Sequence, residues 1–301
     1  MGGQCAPAAV CGGNRLGQVP RAPEWLRVRS GPRSRQAVLI EAPPAVAPGP
    51  PSLEVSWGIP QIVLATVIAI PGVAAAYLVP ALVVLTLHQL GVVRKLSGPG
   101  WTAIVPYYSF TVTLTFYGVL LVIVLLFASR PGGRAWIKLG IRRAPIWVVV
   151  LMPPLAFALQ VLTGIISAIL SPLLGGIKNP QGCDISQAFG KEPYLAVIGI
   201  AVIAPIVEEV VFRGFIYGGL RRKWGITVSV LVSSFVFALA HTFSVGGSIL
   251  LLGPSLFIAG CALALVYERT RSLIPGMVLH ASFNLIAVIA IFLVGTQASC
   301  H

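Results

Sequence analysis

The chain is poor in charge and in the residues that build most soluble active sites. Only 10% of its 301 residues are Asp, Glu, Lys or Arg, against about 25% in soluble domains. It holds eight carboxylates and four histidines. The five cysteines (Cys5, Cys11, Cys183, Cys261 and Cys300) form no C-x-x-C pair and no metal-ligand spacing, which excludes a zinc ribbon or a thioredoxin-type dithiol. No H-E-x-x-H run is present, so a helix-borne zinc protease site of that type is excluded. No repeat recurs at a fixed period, and no apolar region of about 7–15 residues precedes a signal-cleavage site.

What the chain has instead is hydrophobicity: 56% apolar residues and a mean hydropathy of +0.91. Runs near 60–90, 103–128, 146–171, 194–219, 226–243, 249–268 and 274–295 mostly approach the ~20 residues needed to cross a bilayer. The expected fold is therefore all-α, a polytopic transmembrane helix bundle of about seven spans. The first run is overlong and contains Pro71 and Pro80, so a kink or tilt is expected there. Loop charges bear on orientation. Summed over alternate loops, sixteen of the 21 Lys and Arg fall on the N-terminal side and four on the other, with Arg213 inside a span. The positive-inside rule then predicts a cytoplasmic N-terminus, in the plasma membrane if the cell is prokaryotic. Cys183 and Cys300 both fall on the opposite side, so the topology is compatible with a bridge between them.

The net charge of +13 is thus mostly topology, and a nucleic-acid partner is not expected. Residues 1–58 are rich in Arg, Pro and Gly and include APPAVAPGPPS near their end. That composition cannot bury a core, and it predicts a disordered basic tail able to lie on membrane lipid.

Against this background, polar residues inside the runs stand out, because each charge there costs roughly 2.5–3.5 kcal/mol at a helix centre. Only Glu208 and Glu209 among the carboxylates lie within an apolar run; Glu268 ends one, where it can face headgroups beside Arg269. Glu209 and Arg213 are spaced i, i+4 with the glutamate N-terminal, the better order for an ion pair. Glu208 points about 100° away and lacks that partner, which suits a group that takes and returns protons. The next run presents Phe237 and His241 at i, i+4, and the last presents His280 and Asn284 at the same spacing. His88, near the end of the first run, has no such companion. Three helix faces converging at a bundle centre would make a water-holding pocket with a carboxylate, two imidazoles and an amide. Gly214 and Gly218 form a small-xxx-small pattern that permits close helix approach.

In their order and spacing these residues resemble the CPBP family, the type II CAAX-prenyl proteases and their bacteriocin-processing, Abi-like relatives. E-E-x-x-x-R is matched by Glu208, Glu209 and Arg213, F-x-x-x-H by Phe237 and His241, and H-x-x-x-N/D by His280 and Asn284. The FRG at Phe212, Arg213 and Gly214 and the preceding KLGIRR loop are also similar. The resemblance covers roughly 135–294 and implies a protease core over 129–297, with 59–128 as two accessory transmembrane helices. It implies an intramembrane endopeptidase acting on a peptide or the C-terminal segment of a membrane-associated protein. Glu208 would activate water with help from His241, His280 and Asn284 would donate to the oxyanion, and Glu209, Arg213 and Phe237 would order the site. No cofactor is favoured. The alternative is zinc held by Glu208, His241 and His280. Two readings from other classes compete: a non-catalytic immunity or scaffold protein, which has no evident need for the full set of polar residues, and a proton-coupled transporter, which would call for repeated halves and paired broken helices.

Overall fold

The computed structural model describes residues 55–93, 98–129, 135–176, 181–244 and 249–294. Among these residues there is no β-strand. Hydrocarbon offers no partner for backbone N–H and C=O groups, so an apolar chain satisfies them within helices. The elements are α1 (Ile59–Gln89), α2 (Gly98–Ala128), the short α3 (Ala135–Leu139), α4 (Ile146–Leu173), the polar α5 (Gln181–Phe189), α6 (Pro193–Arg221), α7 (Ile226–Ser244), α8 (Ile249–Thr270) and α9 (Leu273–Val294).

Six of them, α1, α2, α4, α6, α8 and α9, are long and apolar enough to cross a membrane, and α7 contributes a shorter apolar stretch, Ile226–Thr242. The chain is an integral membrane protein. The expected seven runs correspond to these seven helices one for one, α7 being the short member. The overlong first run is one continuous 31-residue helix that passes through both Pro71 and Pro80.

One helix differs from the rest in burial. In α6, 67% of the most apolar window lies inside the protein, against 17% for α1 and for α2. The charged motif therefore sits on the central helix, and the outer helices turn large apolar side chains such as Leu126, Phe157 and Leu293 outward. Around α6, α9 packs on α4 and on α6 itself, α7 pairs with α8, and α1 pairs with α2. Much of α6 is wider than an α-helix: Val197–Ile203 and Glu209–Tyr217 are π-helical turns. Such turns are rare and recur at functional sites.

Gly214 shows why the FRG sequence ends in glycine. A Cβ there would lie 2.8 Å from the Leu139 carbonyl oxygen, so α3 seats directly on the α6 backbone. The KLGIRR loop is tied down as well. Leu139 O accepts from the Tyr267 hydroxyl, Gly140 O accepts from the Leu273 N–H, and Arg142 O accepts from the Ser272 hydroxyl.

Three expectations need correction or a boundary. Val55 and Trp57, assigned to the tail, are buried; the Trp57 indole stacks on Phe215 and donates to its carbonyl at 2.8 Å. Val55 and Trp57, just before α1, are thus part of the core, while residues 1–54 lie outside the described set. Glu268 does not face headgroups beside Arg269. It is buried, accepting from the Tyr217 hydroxyl at 2.5 Å and from Arg271 at 2.7 Å, with Arg221 at 3.3 Å. A carboxylate one turn from a helix end reaches a cation three residues on more readily than its immediate neighbour, which points elsewhere. Finally, Cys183 is disulfide-bonded; Cys300, with which the topology is compatible with a bridge, lies outside the described residues.

Candidate active site

The site is built outward from α6. Glu209 is fully buried, and its Oε1 accepts from Arg213 Nη1 at 2.8 Å. Arg213 is buried too; its Nη2 donates to the Gly260 carbonyl of α8, and its guanidinium lies 4.5 Å from the centre of the Phe237 ring. A buried charge needs such a set of partners, since one alone does not offset its desolvation. On its other side, Glu209 Oε2 lies against the first turn of α9: a Cβ on Gly276 would come within 2.8 Å of it. Glycine leaves that approach open, and the positive end of the helix favours an anion there.

His280, one turn further along α9, faces both glutamates. Its Nδ1 is 3.2 Å from Glu209 Oε1, and its Nε2 is 3.5 Å from Glu208 Oε2. A carboxylate can only accept, so Nδ1 is the donor. His241, on α7, is arranged the same way. Its Nδ1 donates to the Phe237 carbonyl at 2.9 Å, and its Nε2 is 3.3 Å from the same Glu208 Oε2. Phe237 packs between them, with ring centroids 4.3 Å from His241 and 5.7 Å from His280.

Glu208 is buried at 6% exposure. Its two oxygens are treated differently. Oε1 accepts from the Tyr117 hydroxyl of α2 at 2.5 Å, whereas Oε2 accepts no hydrogen bond from the described residues despite its two imidazole neighbours. Each ring has its Nδ1 engaged with an oxygen, so Nε2 is the atom it turns toward Glu208: a lone pair on a neutral ring, an N–H on an imidazolium.

All of this opens on a cavity of about 960 Å³, mostly apolar in lining, which Glu208, His241, His280 and Asn284 share. Asn284 Nδ2 donates to the Ile200 carbonyl, in the first π-helical turn of α6, at 2.9 Å. An amide carries two N–H groups, so one is engaged by this bond.

Of the residues singled out in the sequence, Glu208, Glu209, Arg213, Phe237, His241 and His280 form one contact network, and Asn284 lines the same cavity. His88 lies apart at the end of α1, where its Nδ1 meets the Val93 carbonyl at 2.6 Å. Sequence reasoning missed Tyr117, Gly276 and the Gly260 carbonyl. For Tyr117 there was a usable signal: a phenol inside an apolar run needs a partner for its hydroxyl. Among the described residues no group of three or more His, Cys, Asp or Glu side chains could hold a metal ion.

Comparison with known proteins agrees with the motif pattern. Residues 190–286 match the family model for type II CAAX prenyl endopeptidase Rce1-like proteins. The chain is 36% identical over 115 residues to the protein YxdF of Lactococcus lactis, covering 37% of this chain and 59% of that protein. It is 27% identical over 142 residues to the membrane-embedded CAAX protease MroQ of Staphylococcus aureus, covering 45% of this chain and 55% of that one. The matches thus span little more than half the length of these curated relatives. No solved structure matches. The matched stretch, residues 190–286, is the one in which E-E-x-x-x-R, F-x-x-x-H and H-x-x-x-N fall on α6, α7 and α9.

Proposed function

We propose that the chain is an intramembrane endopeptidase that hydrolyses peptide bonds with water activated by Glu208. One observation carries this reading: a buried carboxylate oxygen, itself without a donor among the described residues, faces two imidazole nitrogens on the wall of a large apolar cavity. A water seated there donates a hydrogen bond to Glu208 Oε2, with His241 beside it to help hold it, and turns an oxygen lone pair toward the substrate. When that oxygen adds to the scissile carbonyl, Glu208 takes the proton and later returns it to the leaving amine. The oxyanion is met by the second N–H of Asn284 and by His280, which donates from Nε2 as the imidazolium because its Nδ1–H is given to Glu209. Glu209, Arg213 and Phe237 hold these groups in register. Every step uses the chain's own residues and water, and none is routed through a metal.

The substrate is a peptide or the C-terminal segment of a membrane-associated protein, extended through the cavity from the lipid or the membrane surface. The asymmetry of basic loop residues supports a cytoplasmic N-terminus, with α1 and α2 as accessory helices over 59–128 and the peptidase core over 129–297.

The test is a library of apolar and prenylated peptides incubated with the purified protein in liposomes, with new termini identified by mass spectrometry. Cleavage at defined bonds is expected, and an excess of a zinc chelator should leave the rate within about twofold. Absence of cleavage in every peptide would remove the reading; chelator inhibition reversed by zinc would replace the mechanism. Asn284→Ala removes one oxyanion donor and should lower kcat by about 10²-fold with KM little changed.

A further inference from the structure

The helices before the matched domain are not only accessory, because α2 places a side chain in the site. We infer that Tyr117 is a positioning residue for Glu208. This rests on the peptidase reading and deepens it: the phenol fixes which carboxylate oxygen is presented to water.

The geometry is specific. The Tyr117 hydroxyl donates to Glu208 Oε1 at 2.5 Å, on the side of the carboxylate away from the imidazoles. The last torsion of a glutamate is broad and roughly two-fold, so a carboxylate at a cavity wall can swing or exchange its oxygens. A donor fixed on Oε1 stops that and leaves Oε2 toward His241 and His280. The donor is fixed because α2 is docked on α6 on both sides of it. Seven residues before Tyr117, Phe110 packs where Gly199 has no side chain, 3.5 Å from the place of a Cβ. Ten residues after it, Phe127 meets Phe215 with ring centroids 6.1 Å apart. Tyr117 itself stands edge-on to Phe116 and lines the same cavity as Glu208. It therefore acts through Glu208 from a helix outside residues 190–286.

The experiment compares Tyr117→Phe with Tyr217→Phe, using a peptide the wild type cleaves. Both substitutions delete one hydroxyl and one 2.5 Å bond to a buried glutamate, Glu208 in the first and Glu268 in the second. Tyr117→Phe should lower kcat about 10- to 100-fold with KM within about twofold. Tyr217→Phe should keep both constants, whatever its effect on thermal stability. Incorporating 3-fluorotyrosine at 117 restores the hydroxyl on the same ring and should return kcat to within about threefold of wild type; it also keeps the test decisive should the phenylalanine variant fold poorly. Wild-type kcat in Tyr117→Phe, with activity still lost in Glu208→Gln, overturns this inference and leaves the peptidase reading standing. Equal losses of kcat in the two tyrosine variants make Tyr117 merely structural. If the wild type shows no Glu208-dependent cleavage, this inference falls together with the reading it rests on.

Discussion

Glu208→Gln is expected to lower kcat by at least about 10³-fold while the protein keeps its fold. The two halves of that statement have separate physical grounds. Glutamine has nearly the shape of glutamate, and its amide oxygen can still accept from the Tyr117 hydroxyl. Its amide nitrogen can donate to the His241 and His280 Nε2 atoms, which lie 3.3 and 3.5 Å from Glu208 Oε2. No buried group loses all its partners, and one buried negative charge is removed, so the thermal transition should stay within a few degrees or rise. Chemistry does not survive in the same way. An amide cannot take a proton from water, and its N–H would occupy the lone pairs that hold the water. About 10³-fold corresponds to roughly 4 kcal/mol of barrier. Michaelis constants should change little, because the carboxylate acts in the transition state rather than in holding the peptide. A Glu208→Gln protein with wild-type kcat would show that Glu208 is not the base. A variant that loses activity and fold together would instead mark it as a structural strut.

Why so much of this site could be found from the sequence follows from its solvent. In a soluble protein Glu, Arg, His and Asn are common and mostly uninformative; in an apolar run each is costly, so those retained stand out. Helical periodicity then groups them: Glu209 with Arg213, Phe237 with His241, and His280 with Asn284 each fall on one face at i, i+4. What escaped notice has equally physical reasons. Tyr117 is amphipathic, and tyrosines near membrane surfaces are ordinary, so its hydroxyl drew no attention until Glu208 lay beside it. Gly276 contributes only the lack of a side chain, and Gly260 a carbonyl; neither shows in a list of polar residues. Glu268 was misjudged because a carboxylate at a helix end has headgroups available, yet the fold brings Arg221, 47 residues away in sequence, and Tyr217 onto it. The π-helical stretches of α6 cannot be read from composition, since the same apolar residues suit an α-helix.

The second large effect concerns stability. Arg213→Met should destabilise the protein by about 3–5 kcal/mol, because methionine fills the space of the arginine stem and leaves Glu209 charged, buried and without its cation. Glu209 Oε1 would keep only His280 Nδ1, at 3.2 Å, and Oε2 already accepts no hydrogen bond from the described residues. For a chain of this size that loss corresponds to a fall of roughly 10 °C in the thermal transition, measured in detergent or in liposomes. Activity should drop as well, since Glu209 holds the Nδ1 of the imidazole whose Nε2 faces Glu208. The double variant Glu209→Gln/Arg213→Met separates charge from packing. Glutamine removes the stranded anion and can still accept from His280, so the double variant should recover about half of the stability lost by Arg213→Met alone. If single and double variants are equally unstable, the arginine contributes through its packing on Phe237, 4.5 Å from the ring centre, and the ion pair is incidental. If Arg213→Met alone is as stable as wild type, the guanidinium is not offsetting a buried charge. In that case the pair of glutamates must be balanced by the histidines themselves, which would make His280 the residue on which both the fold and the proposed chemistry depend.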